Sequence, residues 1–455
     1  MAYSENVLDL IGNTPLVEVK RLDTGPCRLF LKLESQNPGG SIKDRIALAM
    51  IEAAERENLL SKNSLIVEAT AGNTGLGLAL VAAQKGYRLL IVMPDKMSQE
   101  KIFHLKAMGA EVRLTRSDVT KGHPEYYQDL AARLAAETPG AFYANQFANP
   151  ANPRAHEETT GPEIWQQMEH DVDAVVCGVG TGGTITGLSR FFSKVNPETE
   201  MVLADPVGSI LKNYVETRTI SKNVGTWLVE GIGEDFVPPV ADLARVKKAY
   251  SIPDKEAFAT CRELLKEEGL LAGTSSGTLI AAALRYCREQ EKPKRVVSFV
   301  CDSGNKYLSK VYNDYWMLDH GFAERAPHGD LRDLIGRLHS EHAVATVGAD
   351  ESVLAAYQRM KLYDVSQLPV MQDGRVVGLV SEEDILLEVL DNPQHFGEPV
   401  SVAMESRLVL VRPDAPIDEL AKILGRGLVA IVVDGERFLG LITRIDLLNW
   451  LRRKL

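Results

Sequence analysis

One lysine stands in a setting that suits chemistry better than solubility. In the stretch QNPGGSIKDR, Lys43 follows the turn-forming run 37–40 and Ser41, and the apolar residues after it recur at helical spacing. Ser41 suits a helix N-cap, which predicts Lys43 in the first turn of a helix, near the positive end of its dipole. That position disfavours a cation and favours an amine that must lose its charge to react. The stretch alone predicts either a reactive lysine or a solvated helix start.

A second motif is rich in glycine and follows a predicted strand. Residues 178–183, GVGTGG, fit the pattern G-x-G-x-x-G, and Asp205 lies 22 residues further on at the end of the next strand. Such a loop exposes backbone N–H groups at a helix N-terminus, where they bind phosphate. Thr181 and Thr184 add hydroxyls that suit a single phosphate. A dinucleotide and a monophosphate cofactor both remain open at this point, and the first would indicate a dehydrogenase.

Composition restricts the class of protein. The chain has 455 residues, of which 45% are hydrophobic and 25% charged, and its net charge of -11 argues against nucleic acid and anionic membranes as partners. The N-terminus lacks the pattern of a signal peptide, and no apolar run is long enough to span a bilayer. Five scattered cysteines without a C-x-x-C pair indicate free thiols in the cytoplasm. His339 and His342 have no further ligands beside them, so we expect no metal.

Short apolar runs alternate with helical patterns from about residue 64 to 320. SLIVEAT, LGLALVAAQKG and YRLLIVMP form one such series, and DAVVCGVG, TITGLSRFFSKV and MVLADP form another. Strands that alternate with helices predict parallel sheets covered on both faces. Two groups, around 45–150 and 150–325, therefore predict two α/β lobes with a cleft between them.

The C-terminal part of the chain is an internal repeat. GLVSEED at 378–384 returns as GLITRID at 440–446, a shift of 62 residues, and each copy follows a predicted hairpin with Asp-Gly at its turn. Two units too small to bury a core alone are expected to pack as a pair. The predicted organisation is a catalytic domain at 1–323, a linker at 324–338 and two repeat units at 339–393 and 394–455. The small lobe of the catalytic domain, about 45–150, is expected to be mobile.

Taken together, several motifs resemble the pyridoxal 5′-phosphate enzymes of fold type II, the cysteine synthase/cystathionine β-synthase family. The resemblance is carried by NPGGSIKDR, TAGNTG, GTGGT, EEGLLAGTSSGT and CDSGNKY, and more narrowly by DPVGSIL, VEGIGEDF and WMLDHGF. The repeat resembles a tandem pair of CBS domains, a Bateman module. The resemblance covers essentially the whole chain and implies a two-lobed catalytic domain with parallel sheets, followed by an α+β CBS-domain pair.

The resemblance also implies roles for residues of this sequence. Lys43 would hold pyridoxal 5′-phosphate as a Schiff base and, once released, act as base for the substrate α-proton and acid for the leaving hydroxyl. A hydroxyl beside the pyridine nitrogen does not keep that nitrogen protonated as a carboxylate would. The cofactor ring is then a weaker electron sink, which suits β-replacement. The implied cofactor contacts are Asn73 at the 3′-oxygen, Ser275 at the pyridine nitrogen, and Gly180, Thr181, Gly182, Gly183 and Thr184 around the phosphate. The implied contacts to the substrate carboxylate are Thr70, Asn73, Thr74 and Gln146.

The implied activity joins L-serine to L-homocysteine and forms L-cystathionine and water, a step of transsulfuration and cysteine biosynthesis. A cysteine synthase that uses O-acetylserine or O-phosphoserine with sulfide is the alternative. A nucleotide sensor with a decayed catalytic lobe is another, although the intact Lys43 speaks against decay. Ala71 and Glu234 depart from the pattern, which has serine at the first position and, in the animal enzymes, tyrosine at the second. We expect a homodimer or a higher homo-oligomer.

Haem is not expected, although the animal enzymes of this family carry it on an N-terminal extension. The chain begins about nine residues before LIGNTPL, and Cys27 has no histidine near it that would complete a haem site.

In CBS modules the pattern G-h-h-[ST]-x-x-D places a hydroxyl and a carboxylate on a nucleotide. The matching pairs here are Ser381 with Asp384 and Thr443 with Asp446. Because an aspartate can accept from both ribose hydroxyls, the resemblance implies an adenosine-type ligand such as S-adenosylmethionine, AMP or ATP. The alternative is that these residues only cap the following helices and that the repeat serves oligomer assembly.

Overall fold

The chain forms two compact units, Met1–Tyr312 and Asn313–Leu455. The computed structural model describes residues 3–70, 72–95, 99–120, 122–221, 224–390 and 392–452. Each unit buries its own apolar side chains.

The N-terminal unit contains two sheets whose strands are mostly parallel. Its strands are β1 Leu16–Glu18, β2 Arg28–Leu33, β3 Leu65–Ala69, β4 Arg88–Pro94, β5 Glu111–Thr115, β6 Phe142–Tyr143, β7 Ala174–Gly178, β8 Glu200–Pro206, β9 Val246–Ile252 and β10 Arg295–Val300. The smaller sheet has the order β5-β4-β3-β6 and is parallel throughout. The larger sheet has the order β1-β2-β10-β7-β8-β9, and its edge strand β1 runs antiparallel to β2.

Helices connect these strands, as parallel pairing requires. They are α1 Lys43–Arg56, α2 Asn73–Lys85, α3 Gln99–Ala107, α4 Tyr127–Glu137, α5 Ala151–Ala155, α6 Gly161–Gln167, α7 Gly183–Val195, α8 Leu211–Thr217, α9 Asp254–Glu268 and α10 Thr274–Arg288. A π-helical turn, His156–Thr160, joins α5 to α6. The core of the smaller sheet includes Ile46 and Met50 of α1 packed against Ile66 and Ile91 of the strands.

The two predicted α/β lobes are confirmed, with one addition. The strands from 65 to 143 form the smaller sheet, and those from 174 to 300 form most of the larger one. The chain before Lys43 also supplies β1 and β2, which join the larger sheet beside β10. The sequence pattern missed these strands because they precede the alternating region and enter the sheet next to a strand more than 260 residues away in sequence.

The C-terminal unit contains the predicted repeat. Each half has a short strand parallel to the first strand of a hairpin, and a helix after the hairpin; the elements are α11 Asp314–Asp319, β11 Val347–Gly348, α12 Val353–Tyr363, β12 Gln367–Gln372, β13 Arg375–Ser381, α13 Glu382–Leu390, β14 Leu410–Val411, α14 Ile417–Gly425, β15 Ala430–Asp434, β16 Arg437–Ile442 and α15 Arg444–Arg452. Asp373 and Gly374 have φ of 47° and 77°, which suits a two-residue turn that matches strand twist.

Each half of the C-terminal unit has its own hydrophobic core, so the expectation that one unit is too small to bury a core is wrong. Val353 and Leu368 belong to the first core. Leu331, Leu334 and Ile335 lie in the second, where they pack with residues of α14 and β15. The segment 324–338, predicted as a linker, therefore contributes side chains to a core. Among the residues that the structure describes, no helix is long and apolar enough to cross a membrane.

Candidate active site

A cavity of about 620 Å³ lies in the N-terminal unit, at the ends of strands from both sheets. Ligands of open α/β sheets usually bind at this position, beyond the carboxyl ends of the strands. The residues predicted from the sequence to carry the catalytic, cofactor and carboxylate roles all line it: Lys43, Thr70, Asn73, Thr74, Gln146, Gly180, Thr181, Gly182, Gly183, Thr184 and Ser275. Tertiary folding thus brings five separate segments to one cavity.

Lys43 is the first residue of α1 and directly follows a loop that is bonded to the end of β10. The helix is capped at Ile42, so the prediction of Ser41 as N-cap is wrong by one residue; Ser41 Oγ instead accepts from the Lys43 N–H at 3.2 Å. The Ile42 N–H donates to the carbonyl of Cys301 at 2.8 Å, which fixes this loop to the end of β10. Burial lowers the pKa of Lys43, although the neighbouring Cys301 and Asp302 oppose the shift. The amine is therefore biased toward the neutral, nucleophilic form.

The glycine loop before α7 forms a cradle with no room for side chains. Gly182 has φ of 87°, in the left-handed region that favours glycine. A Cβ on Gly180 would overlap the carbonyl of Gly231, and one on Gly183 would overlap the side chain of Asn152. The glycines thus let the backbone at the start of a 13-residue helix line the cavity closely, which fits a phosphate group.

Two side chains from α5 and the π-helical turn support the threonines of this cradle. Asn152 Nδ2 donates to Thr181 Oγ1 at 2.9 Å, and His156 Nε2 lies 3.2 Å from Thr184 Oγ1. Burial holds the pKa of His156 well below its ordinary value, so the imidazole is neutral. These contacts fix the hydroxyls beside the N–H groups. Sequence reasoning gave no role to Asn152 or His156, which stand in the stretch NPANPRAHEETTGPEIW at 149–165.

Asn73 is held at both ends of its amide. Lys306 Nζ donates to Oδ1 at 2.7 Å, and Nδ2 donates to Asp302 Oδ2 at 2.8 Å. Tyr307 donates to the same carboxylate oxygen at 2.8 Å. An amide nitrogen has two hydrogens, so one remains available to a ligand in the cavity. Lys306 and Asp302 lie in the motif CDSGNKY but were given no role from the sequence.

The loop between β3 and α2 carries the predicted carboxylate contacts. Thr74 Oγ1 donates to Gln146 Oε1 at 2.6 Å, and the Gly72 N–H donates to Thr70 Oγ1 at 3.2 Å. Ala71, where the family has serine, lies outside the described residues. Ser275 is the second residue of α10 and is buried against the cavity.

Glu234, at the other departure from the family pattern, also lines the cavity. Burial raises the pKa of its carboxyl well above the ordinary value, and Asp235 and Asp205 add to the shift. Asp205, which a dinucleotide would need at its ribose, is itself buried and accepts from the Lys212 N–H at 2.8 Å. The arrangement therefore does not favour the dinucleotide alternative.

Sequence reasoning missed a charged group on the cavity wall. Lys101, Glu230 and Lys310 line the cavity, and both lysines pair with the carboxylate of Glu230. Glu230 lies in the quoted motif VEGIGEDF, but nothing in the local pattern relates it to two lysines 129 and 80 residues away.

The predicted nucleotide residues of the C-terminal unit bond to each other. Asp384 Oδ2 accepts from the Ser381 hydroxyl at 2.7 Å, and Asp446 Oδ2 accepts from the Thr443 hydroxyl at 2.5 Å. Ser381 Oγ also accepts from the Asp384 N–H at 3.2 Å, and the carboxylates of Asp384 and Asp446 accept from the N–H groups of Ser381 and Thr443 at 2.8 and 2.7 Å. These backbone bonds are the capping contacts of the alternative hypothesis. Asp446 also lines a second cavity of about 320 Å³, together with Gly336, His328 and Trp450. Burial raises the pKa of Asp446. Within the described residues, no group of three or more His, Cys, Asp or Glu is arranged to hold a metal ion.

Comparison with known proteins defines the class. The family described as pyridoxal-phosphate dependent enzyme matches residues 7–302, and the CBS domain matches residues 333–391 and 400–453. The chain therefore belongs to the pyridoxal-phosphate-dependent enzyme family, and its C-terminal unit carries a tandem pair of CBS domains.

Relatives that share the whole length are more specific. Cystathionine beta-synthase of Dictyostelium discoideum is 36% identical, over 99% of this chain and 92% of its own length. Cysteine synthase of Staphylococcus aureus is 42% identical but matches only 67% of this chain, and 96% of its own length. A hydrogen sulfide-producing enzyme of Fusobacterium nucleatum, known from its crystal structure, has a TM-score of 0.63 at 40% identity and covers 67% of this chain and 100% of its own. Of these three relatives, the one that also spans the CBS domains is thus a cystathionine β-synthase.

Proposed function

We propose that this chain condenses L-serine with L-homocysteine to give L-cystathionine and water, a step of transsulfuration. The observation that carries the proposal is one cavity that joins a buried lysine, a phosphate cradle and a doubly held asparagine, in a chain whose full-length relatives are cystathionine β-synthases. Cysteine synthase relatives match about two-thirds of the chain, which makes cysteine formation from sulfide the second candidate.

The residues of the cavity fit pyridoxal 5′-phosphate. Lys43 would carry it, the loop Gly180–Thr184 would hold its phosphate, Asn73 would donate to its 3′-oxygen, and Ser275 would face its pyridine nitrogen. When bound, the cofactor supplies the electron sink that lets the substrate α-proton and the β-hydroxyl leave. A hydroxyl at Ser275 does not keep the ring nitrogen protonated as a carboxylate would, which favours replacement at the β-carbon.

The protein's own groups bind the first substrate and move its protons. Thr70, Asn73, Thr74 and Gln146 would hold the carboxylate of serine, with the N–H groups of their loop. The Lys43 amine takes the α-proton and donates a proton to the leaving β-hydroxyl, which departs as water. The thiol of homocysteine forms the new C–S bond, and the proton that it loses balances the one returned to the α-carbon. Because burial lowers the pKa of Lys43, its amine gives up a proton more readily than an exposed lysine does.

In the C-terminal unit we propose a binding site for an adenosine-type ligand at the cavity beside Asp446. Its volume of about 320 Å³ lies in the lower part of the range for small-molecule pockets, and the indole of Trp450 lines the same cavity as the half-buried carboxylate of Asp446. We further propose a homo-oligomeric enzyme in a reducing compartment; the free thiols of all five cysteines are consistent with the latter.

The test is a product assay. Purified protein loaded with pyridoxal 5′-phosphate is incubated with serine and homocysteine, and cystathionine, cysteine and pyruvate are measured together. We expect cystathionine to dominate, with little pyruvate from serine alone. Faster production of cysteine from O-acetylserine and sulfide than of cystathionine would instead assign the chain to the cysteine synthases.

A further inference from the structure

Two lysines and one glutamate form a charged cluster on the wall of the catalytic cavity. Lys310 Nζ lies 2.7 Å from Glu230 Oε1, and Lys101 of α3 pairs with Oε2 of the same carboxylate. Lys101 is 5% exposed and Glu230 is 24% exposed. Burial raises the pKa of Glu230, but the two ammonium groups outweigh it and leave the pKa below its ordinary value. The cluster therefore carries two positive charges and one negative charge.

Contacts tie this cluster to the residues proposed to hold the cofactor. The Lys101 ammonium lies 5.6 Å from the centroid of the Tyr307 ring, whose hydroxyl shares Asp302 with Asn73. The Glu230 N–H donates to Thr274 Oγ1 at 3.0 Å, directly before Ser275. The cluster thus lies within the catalytic cavity, although none of its members is proposed to bind the cofactor or the carboxylate of serine.

Charged side chains in a mostly buried position are costly unless they are paired. A ligand that enters such a cluster must therefore offer new partners of both signs. An amino acid does so, because its carboxylate accepts from ammonium groups and its ammonium donates to a carboxylate. The extra lysine gives the carboxylate two donors.

We propose that Lys101, Glu230 and Lys310 form the subsite for the α-carboxylate and α-ammonium of the second, thiol-bearing amino acid. The two lysines bind its carboxylate and Glu230 binds its ammonium. This inference rests on the proposed function and names the residues that would select homocysteine over sulfide. Sulfide has neither an α-carboxylate nor an α-ammonium, so the cluster does not contribute to its binding.

Binding the backbone groups of homocysteine would also accelerate the attack by its thiol. A thiol attacks well only when its sulfur is positioned about 3 to 3.5 Å from the reacting carbon. With its backbone groups fixed at the cavity wall, the side chain of homocysteine can extend toward Lys43 and the carbon that lost its hydroxyl. The cluster is thus a specificity determinant for the nucleophile and leaves the binding of serine to the loop before α2.

The experiment compares two thiols in the loaded, full-length enzyme with saturating serine. Homocysteine carries the backbone groups, whereas 2-mercaptoethanol lacks them. In Lys310→Met and Lys101→Met we expect the KM for homocysteine to rise about tenfold or more, as for loss of a hydrogen bond to a charged group. The KM for serine and the constants for 2-mercaptoethanol should stay within about twofold. Lys310→Arg should restore much of the affinity for homocysteine.

Lys294→Met is the matched control, because Lys294 is also a partly buried lysine paired with a glutamate, at 2.5 Å from Glu200, and does not line the cavity. A second readout needs no turnover: L-methionine, whose sulfur is blocked, should raise the melting temperature of wild type and Lys294→Met but not of Lys310→Met. This readout also separates lost binding from a misfolded variant, which would melt early without any ligand.

Equal losses with both thiols, or a rise in the KM for serine or O-phosphoserine instead of homocysteine, would overturn the inference. A wild type that makes the 2-mercaptoethanol adduct but no cystathionine would refute the proposed function. In that case the melting experiment with methionine still decides whether the cluster binds an amino acid.

Discussion

The ammonium group of Lys306 lies 2.7 Å from Oδ1 of Asn73, and the two residues are 233 positions apart in the chain. This contact, with the bond from Nδ2 to Asp302, sets which side of the amide faces the cavity. An asparagine that must donate to a cofactor oxygen needs its nitrogen oriented inward, so Lys306 is a positioning residue. Lys306 also approaches the carbonyls of Gly39 and Gly40, which ties the same ammonium to the loop before Lys43.

Lys306→Met is expected to weaken cofactor binding about tenfold, because Asn73 loses the charged donor that fixes its orientation. Equilibrium dialysis of pyridoxal 5′-phosphate against the variant measures the dissociation constant directly. Lys306→Arg should recover part of the affinity, and Lys294→Met should bind as wild type does. Unchanged affinity in Lys306→Met would show that Asn73 is oriented without it.

Lys43→Ala should remove the visible absorption of the lysine-bound cofactor and all β-replacement activity. The reason is that Lys43 is the lysine lining the cavity whose pKa burial lowers and whose helix begins at the cavity. Circular dichroism and the melting temperature should stay near those of wild type. An absorption band that survives dialysis in this variant would point to a different attachment site.

The stability of the N-terminal unit should fall as pH rises through the titration of Asp44. Burial raises the pKa of Asp44 to about 6, against 3.8 for the ordinary group, although the Gly39 N–H donates to it. A folded-state pKa above the unfolded one favours folding at low pH, and this contribution is lost between about pH 4 and pH 6. Relative to Asp44→Asn, wild type should lose about 2 to 3 kcal/mol over that window.

Calorimetric melting of both proteins from pH 4 to pH 8 measures this difference. Asp118→Asn, at an exposed carboxylate, is the control and should keep a constant difference from wild type above pH 5. A constant difference for Asp44→Asn as well would mean that Asp44 is ionised in the folded protein throughout.

Arg45→Met should destabilise the N-terminal unit by about 3 to 5 kcal/mol, because it leaves buried carboxylates without their partner. The guanidinium is 2% exposed and lies 2.7 Å from both Glu34 and Glu163. Unfolding by urea measures the loss. Arg28→Met breaks an exposed pair with Glu18 and should change little. Equal effects of the two substitutions would contradict a special role for the buried network.

Asp446→Ala should abolish the stabilisation that an adenosine-type ligand gives, which is about 2.7 kcal/mol at a hundredfold excess over Kd. Asp384→Ala is the matched control, because it removes an equivalent helix cap but does not line the second cavity. Titration of S-adenosylmethionine, AMP and ATP by calorimetry tests all three ligands. If none produces heat with wild type, the two pairs are caps and the module serves assembly.

Local sequence was sufficient wherever a short segment encodes its own shape. The glycine run before Lys43, the loop Gly180–Thr184 and the Asp-Gly turns need backbone conformations that few residues adopt. Their sequence motifs therefore predicted these loops and turns. The alternation of apolar runs and helices likewise predicted parallel sheets. For the same reason the errors were local or topological: Ser41 is one residue from the cap, and β1 and β2 were missed.

What the sequence by itself determined is therefore the family, the type of fold and the residues of the cavity that sit in rigid local motifs. What only the tertiary structure decided is which charged groups meet there. Lys306 reaches Asn73, and Lys101 and Lys310 meet at Glu230, across separations of 80 to 233 residues. Pairing of ions depends on distances of a few ångströms and on exclusion of water, and neither is written in a local pattern. The distances between the charged groups and the exclusion of water are set only when the two lobes fold, so the spacing of residues along the chain does not predict them.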